Sequence, residues 1–222
     1  PGGVDQIDRP EHEFPLARTH YQPLYLDGDT RTLSPDASDT ETVVQYTADE
    51  QVDFTIRFEQ DTELTGYMKL HLWVEAIGAS DLDLFVVVQK LDPQGNVLAP
   101  IVLDEPFDGS MGRLRVSHRQ LDPERSTPDQ PFLMHTEEQL LHPGEVVPVD
   151  IALTPMGMLW HAGQQLRVTI AGHGLALQSF PGIEEQTLRN QGTYSLHIGG
   201  RYDAYLQVPV ITVSRDKNPY NR

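Results

Sequence analysis

The ten residues Tyr67–Ala76, YMKLHLWVEA, alternate between apolar side chains and polar or amphipathic ones. Successive side chains of a β-strand point to opposite sides of a sheet, so the alternation predicts a strand with one buried face. Such a strand is typical of an antiparallel sheet, because parallel sheets are usually covered on both sides. The apolar positions are Met68, Leu70, Leu72, Val74 and Ala76, and the positions between them are Tyr67, Lys69, His71, Trp73 and Glu75.

Strand-like segments recur along the rest of the chain, separated by turns rich in Gly, Pro and Asp. Asp92–Asn96, DPQGN, has strong turn chemistry and predicts a hairpin between the runs on either side of it. No segment has a long helical period, and only Thr136–Leu141 is interpreted as a short helical piece. The further predicted strands are Val52–Phe58, Leu82–Leu91, Val97–Leu103, Val147–Leu153, Leu166–Ile170, Tyr194–Ile198 and Leu206–Val213.

About ten short strands without βαβ alternation predict an all-β fold. The expected architecture is an antiparallel β-sandwich, and the strand count favours a jelly roll over an immunoglobulin-type fold. Residues 1–26 are predicted to form an extended lead-in, 27–213 the sandwich and 214–222 a tail. The chain opens at Pro1 without an initiator Met or a signal segment, which predicts a piece of a longer polypeptide or a processed mature protein.

The composition excludes several classes of function. With 33 Asp and Glu against 16 Lys and Arg, the formal net charge of −17 opposes binding to nucleic acid. The absence of cysteine excludes disulfides, zinc–cysteine sites and thiol nucleophiles. The sequence has no run of about 18 apolar residues, the length that a membrane-spanning helix needs, so no membrane partner is expected. The excess of acids over bases is concentrated in residues 1–66, which is interpreted as a solvated surface or as a region that faces a basic partner.

Candidate catalytic residues were sought first among the nine serines. None lies in the G-x-S-x-G motif that places a nucleophile on a sharp turn. The closest match, Asp108–Gly112, lacks the first glycine. Ser117 and His118 are adjacent, and on a strand they would point to opposite faces. The sequence therefore assigns no catalytic residue.

The nine histidines show no spacing typical of a metal site, such as H-E-x-x-H. Asp81 and Asp83 are two residues apart and would share a sheet face, but calcium takes six to eight oxygens. A structural calcium ion in a surface loop stays an open alternative. No metal ligand or cofactor residue is assigned, and no cofactor is expected. Trp73 and Trp160 are interpreted as residues of the core or of an interface with a partner domain, and sugar binding is the alternative.

Six blocks of the sequence resemble, in order, those of the cocaine-esterase-like and X-Pro dipeptidyl-peptidase-like hydrolases (CocE/NonD). They span most of residues 14–211, and their order is more specific than any one of them. The blocks are Phe14–Leu26, Asp81–Val86, Gly112–Arg119, Pro143–Ile151, Ala162–Val168, and Gly199–Asp203 with Leu206–Ile211.

This resemblance implies the non-catalytic, galactose-binding-like jelly-roll domain at the C-terminus of a serine hydrolase of X-Pro dipeptidyl-peptidase or acyl esterase type. The implied role is to pack on an α/β-hydrolase domain, which carries the serine, aspartate and histidine triad, and to shape substrate access. The chain alone is then expected to be non-catalytic. The alternative is a free-standing carbohydrate-binding module that uses Trp73 and Trp160.

If the first hypothesis holds, the lead-in is expected to contribute apolar side chains to the domain interface. The isolated chain is then expected to form a homodimer through the same surface. The lack of cysteine is compatible with the cytoplasm and with secretion, with the cytoplasm slightly favoured. The predicted interface residues are Phe14, Leu16, Tyr21, Leu24 and Tyr25.

Overall fold

The computed structural model describes residues 10–99, 101–102, 105–175, 188 and 192–211. Within these residues the chain forms thirteen strands and one 3₁₀ turn at Val116–His118, and no helix there is long and apolar enough to cross a bilayer. The strands are β1 (Thr19–Leu26), β2 (Leu33–Ser34), β3 (Thr42–Thr47), β4 (Gln51–Arg57), β5 (Thr62–Ile77), β6 (Asp83–Leu91), β7 (Ile101–Val102), β8 (Glu105–Pro106), β9 (Ser110–Arg115), β10 (Val147–Trp160), β11 (Gln165–Ala171), β12 (Thr193–Ile198) and β13 (Tyr205–Ile211).

The strands form a larger and a smaller sheet in which every ladder is antiparallel, which confirms the predicted β-sandwich. The large sheet has the order β2-β1-β13-β5-β12-β3, with β10 on the other edge of β5. The small sheet has the order β4-β11-β6-β9, and β7 pairs only with β8. Because β5 pairs with β13 along its first part and with β12 at its end, the large sheet forks along this strand.

The predicted alternation of Tyr67–Ala76 is confirmed, and it extends over the sixteen residues of β5. The inward side chains of β5, such as Leu70 and Leu72, are fully buried and share one core with Leu84 and Leu166 of the small sheet. Burying a leucine side chain stabilises the fold by roughly 1.5–3 kcal/mol. Strand β6 is buried on both faces, as its continuous apolar run predicts.

One edge of the small sheet lies close against the large sheet, where β9 meets β10. The Met111 amide donates to Thr154 Oγ1 at 3.0 Å, and the Ser110 hydroxyl donates to the Thr154 carbonyl. A Cβ atom on Gly112 would lie 2.5 Å from the carbonyl oxygen of Ala152. Glycine is therefore needed here because the two backbones approach too closely for a side chain.

Two local predictions are wrong. Thr136–Leu141 is not helical, because its amides bond to distant carbonyls: Leu141 N–H donates to Ser80 O at 2.8 Å instead of to a preceding turn. The turn at Asp92–Asn96 is confirmed, but Val97–Leu103 does not continue as a strand beside β6. Val97 forms a bridge with Leu91 and the Leu98 amide donates to Lys90 O at 2.8 Å, but further along the run Ile101–Val102 pairs with β8 instead of β6.

The end of the predicted lead-in is part of the large sheet. Residues 19–26 form β1, which pairs with β13 over seven residue pairs from Thr19 opposite Ile211 to Tyr25 opposite Tyr205. The predicted tail 214–222 and the start of the lead-in at 1–9 lie outside the described residues. The lead-in thus runs beside β13, one strand away from β5.

Candidate functional site

The five predicted interface residues separate into two groups. Leu24 belongs to the core and Leu16 is also buried, so neither offers surface to another domain. Phe14 is 51% exposed and packs edge-on against Tyr67, with 5.1 Å between the ring centroids. Tyr21 and Tyr25 are half-buried on β1. The exposed and half-buried aromatic rings are therefore the members that could contact another domain.

These rings border the side of the large sheet that faces away from the core, here called the outer face. Strand register aligns its side chains in rows, because antiparallel partners on one face lie directly opposite each other. One row runs over β10, β5, β13 and β1, and another over β10, β5, β12 and β3. The first row is Asp150, His71, Tyr205 and Tyr25, and the second is Pro148, Trp73, His197 and Val43.

His71 is the centre of the first row. Its Nδ1 lies 2.9 Å from Asp150 Oδ1, and Lys69 Nζ lies 3.4 Å from the same oxygen. The imidazole stacks on the Tyr205 ring, with centroids 5.1 Å apart and planes at 24°. Tyr205 in turn meets Tyr25 edge-on at 5.9 Å. The row is a continuous layer in which each aromatic ring is held by its neighbour.

Trp73 anchors the second row through the turn between β12 and β13. Its Nε1 donates to Asp203 Oδ1 at 2.9 Å, and its ring meets Tyr202 edge-on at 5.6 Å. The Tyr202 ring also lies 5.0 Å from that of His197, whose Nε2 is 2.9 Å from Glu75 Oε2. Carboxylates thus fix both the tryptophan and the histidine in place.

The surroundings on the outer face shift the pKa values of Asp150 and Tyr205 in opposite directions. Burial alone would raise the pKa of Asp150, but the hydrogen bond from His71 and the charge of Lys69 hold that pKa below its ordinary value. Burial raises the pKa of the Tyr205 hydroxyl despite the nearby Lys69 charge. At neutral pH the face therefore presents the neutral Tyr205 hydroxyl beside the ionised Asp150 carboxylate, which is already paired.

The outer face ends in an apolar hollow beyond the last residues of β5. The hollow has a volume of about 810 Å³ and is lined by Glu75 together with three exposed apolar side chains. Ile77 is 42% exposed, Leu140 48% and Leu188 39%. Large apolar side chains that are exposed together mark a surface that another body covers or a ligand enters.

A known family model fits nearly the whole of this architecture. The model of the X-Pro dipeptidyl-peptidase C-terminal non-catalytic domain matches residues 2–207.

The chain belongs to this family.

Solved structures agree with the family. A CocE/NonD family hydrolase from Staphylococcus aureus is 36% identical with a TM-score of 0.84, over 90% of this chain and 38% of that hydrolase. An aminopeptidase from a marine sediment Thaumarchaeota archaeon has a TM-score of 0.62 at 14% identity, over 90% of this chain and 38% of that one. An α-amino acid ester hydrolase has a TM-score of 0.55 at 14% identity, over 85% and 36%. The last two show the fold alone, and no curated protein matches the chain.

The family and its relatives confirm the predicted resemblance and the non-catalytic role. The chain spans 38% of the length of the Staphylococcus aureus relative. It corresponds to the C-terminal non-catalytic part of such hydrolases, which implies a catalytic domain as a partner in the parent protein.

In this X-Pro dipeptidyl-peptidase C-terminal domain, the residues weighed as catalytic or metal-binding have structural partners. Ser117 is buried and donates to Asp81 Oδ2 at 2.7 Å, and the other oxygen of Asp81 accepts the Ser117 and Leu82 amides. Asp83 is paired with Arg115 at 2.8 Å. Within the part of the chain that the structure describes, no three His, Asp or Glu side chains are placed to hold a metal ion.

The two tryptophans of this C-terminal domain have opposite environments. Trp160 is fully buried and donates from Nε1 to the Gln165 carbonyl at 3.0 Å, so it has no face free to stack on a sugar. Trp73 is half-buried on the outer face. Nothing in the comparisons supports the carbohydrate-binding alternative, and the structure removes one of the two residues on which it depended.

Sequence reasoning missed three members of the outer face: Asp150, Tyr202 and Asp203. Asp150 lies at an outward position between Val149 and Ile151, where alternation places a polar residue. Tyr202 and Asp203 lie in a turn, where no period applies. The alternation could have identified Asp150, but only the pairing of β5 with β10 shows that it meets His71.

Proposed function

We propose that this domain packs on the α/β-hydrolase domain of a serine hydrolase through the outer face of its large sheet. The parent enzyme would cleave esters, amides or X-Pro peptides, with its serine, aspartate and histidine in the other domain. A cytoplasmic site of action, compatible with a chain free of cysteine, is part of the same proposal. Family membership and the hydrolase from Staphylococcus aureus support the accessory role.

The observation that carries the docking surface is the ordered aromatic layer of the outer face. Interfaces are enriched in Tyr and Trp and depend on a few rigid anchors. Trp73, Tyr202 and Tyr205 are such anchors, because hydrogen bonds and ring contacts already fix them. Side chains that are ordered before docking lose little further entropy on binding. The two imidazoles and the indole of the layer are already paired with carboxylates of the domain, so covering them would not leave these groups unsatisfied.

The apolar hollow supports a role in substrate access. It continues the outer face past the end of β5, so a catalytic domain seated on that face would border it. Its apolar lining could then contact the non-reacting part of a substrate. The surface that docks and the surface that limits access would in this way be contiguous along one strand.

Enzyme assays test whether the parent enzyme is catalytic while this domain alone is not. The chain alone and its full-length parent are assayed with a nitrophenyl ester and with Ala-Pro-nitroanilide. The parent is expected to turn over at least one of them and to be inhibited by a serine reagent, and the chain is expected to turn over neither. Serine-reagent-sensitive turnover by the chain alone would refute the non-catalytic role.

Hydroxyl-radical footprinting tests the docking surface separately. Trp73, Tyr202 and Tyr205 are expected to be oxidised in the isolated chain and protected in the parent. Phe85, which lies on the outward side of the small sheet, is the matched control and should be oxidised equally in both. Equal oxidation of all four residues would remove the outer face as the interface and leave the accessory role intact.

A bare outer face is also expected to let the isolated chain form a homodimer. Light scattering of the chain measures this directly. A strict monomer at all concentrations would argue against self-association through this face, but it would not affect the footprinting result.

A further inference from the structure

A cleft at the edge of the small sheet gathers basic side chains in an otherwise acidic protein. It has a volume of about 490 Å³ and lies where β9 leads into the following 3₁₀ turn. Cavities that hold small ligands have volumes of roughly 300–1,000 Å³. The cavity, here called the Arg113 cleft, is lined by Asp83, Phe85, Arg113, Arg115, His118, Leu133 and His135.

The charges in the Arg113 cleft are unequally paired. Arg115 bonds to both oxygens of Asp83, at 2.8 and 3.1 Å, and this neutralises the one carboxylate in the lining. No ion pair reaches Arg113 from any residue that the structure describes, although the whole chain has about two acids for every base. An exposed guanidinium therefore faces the cleft with its donors available to a bidentate anion.

The histidines add further polar groups to the cleft. His118 has its Nδ1 buried without a hydrogen bond among the described residues, while its Nε2 lies 3.7 Å from Glu138 Oε1. The His135 ring is 5.7 Å from that of His118. His135 adopts a φ of 54°, in the left-handed region that residues other than glycine rarely occupy. Such a conformation persists where its surroundings hold it, and it is often found at binding sites.

The rest of the lining is apolar. Phe85 and Leu133 are both half-buried and border the cleft beside Leu84 and Leu114. A fully hydrated inorganic ion would gain nothing from these walls. A ligand with an anionic head and an apolar body would use both the guanidinium and the walls.

We propose that the Arg113 cleft binds a small organic carboxylate, with its oxygens on the Arg113 guanidinium and its apolar part against Phe85 and Leu133. The ligand is a free carboxylic acid or the C-terminal carboxylate of a peptide, which share this chemistry. The cleft borders the outer face, because a neighbouring hollow of about 410 Å³ is lined by Arg113, Leu133 and His135 together with Tyr67 and Asp150. The binding groups themselves all come from this chain.

Calorimetric titration of the 222-residue chain tests the site, with benzoate as the probe and benzamide as its neutral match. Saturable binding of benzoate is expected, and no binding of benzamide. Arg113→Gln should weaken benzoate binding about tenfold or more, and Arg113→Lys, which keeps the charge but not the fork, should weaken it less. Arg201→Gln is the control, because Arg201 is exposed on the turn before β13 and does not line the cleft.

Acetyl-Ala-Phe and its C-terminal amide separate the two sources of the ligand. Binding of the peptide acid more tightly than benzoate assigns the site to peptide C-termini, and the reverse assigns it to free acids. Circular dichroism of each variant shows that the fold is kept. The proposal is overturned if benzoate does not saturate below about 10 mM, a weak but measurable range. It is equally overturned if benzamide binds as well, or if Arg113→Gln and Arg201→Gln behave alike.

Discussion

The two faces of β5 are built from the same sixteen residues and are stabilised in different ways. Leu70 and Leu72 on the inward face are covered by the small sheet, from across the core. His71 and Trp73 on the outer face find their partners in the same sheet or in the turn beside it. No second layer of strands covers them among the described residues.

This difference separates stability from recognition. The inward face depends on apolar area removed from water, which is large and does not depend on direction. The outer face depends on hydrogen bonds and ring contacts that are small individually but fix the positions of its side chains. A strand of this kind can therefore hold the sandwich together on one side and offer an ordered surface to another domain on the other.

The two tryptophans give the largest test of the comparison. Trp160→Ala should lower the free energy of unfolding by about 3–5 kcal/mol, the range for removing a large aromatic side chain from a core. Trp73→Ala should lower it by only about 1 kcal/mol, because it loses a hydrogen bond and partial burial. Urea unfolding followed by circular dichroism measures both. Equal losses would show that the outer face belongs to the stabilising core.

The close approach of β9 and β10 gives a second test, because it closes one side of the core that contains the inward face of β5. Gly112→Ala places a Cβ within 2.5 Å of a backbone oxygen and should cost about 1–3 kcal/mol. Gly157→Ala is the matched control on β10: its Cβ would lie 3.3 Å from the Thr65 hydroxyl, a contact that a shift of a few tenths of an ångström relieves. Similar unfolding midpoints for the two variants would contradict a close approach of the β9 and β10 backbones.

A double-mutant cycle on His71 and Asp150 measures the first row of the outer face. The two single alanine variants and the double variant should reveal a coupling of about 0.5–1.5 kcal/mol at neutral pH, the range for one hydrogen bond. Additive effects would show that the 2.9 Å contact does not contribute to stability. The same cycle on His197 and Glu75, also 2.9 Å apart, is the comparison for the second row.

The smallest expected effect is the pH dependence of the His71–Asp150 pair. The pKa of Asp150 is lower in the folded protein than its ordinary value of 3.8, so the folded state binds fewer protons near that pH. Its contribution is complete above the ordinary pKa and is lost as the pH falls through the folded value. The excess in Tm of the wild type over Asp150→Asn should therefore shrink as the pH is lowered from about 5 to about 2. A difference that stays constant over this range would contradict the assignment.

Much of the fold could be predicted because alternation is a local property. Met68 and Leu70 follow the period of two that one buried face requires, and β5, β10 and β11 lie where that period predicts strands. Predictions failed where the outcome depended on distant partners. Thr136–Leu141 was interpreted as helical, yet its amides bond to other segments. The run after Asp92–Asn96 had strand-like residues, but it leaves β6 after Leu98 and its residues Ile101–Val102 pair with β8.

The candidate site was predicted less well than the fold. The lead-in was expected to supply an apolar surface, but Leu16 and Leu24 point into the protein while Phe14 does not. The sequence left Trp160 open between core or interface packing and sugar binding, and the structure places it fully in the core. Burial of a single side chain near a strand end depends on which element crosses it, and the sequence does not contain that information locally.

The sequence by itself determined the all-β class, the buried face of β5 and, through the order of its blocks, the family. The first two follow from periodicity, and the family follows from the resemblance of its blocks; the chain carries both residue by residue. Only the tertiary structure decided that Asp150 and Tyr205 flank His71, that Asp203 holds Trp73, and that Asp83 pairs with Arg115 in the cleft that Arg113 lines. Such contacts join residues far apart in the chain, so they exist only once the register of each strand pair is set.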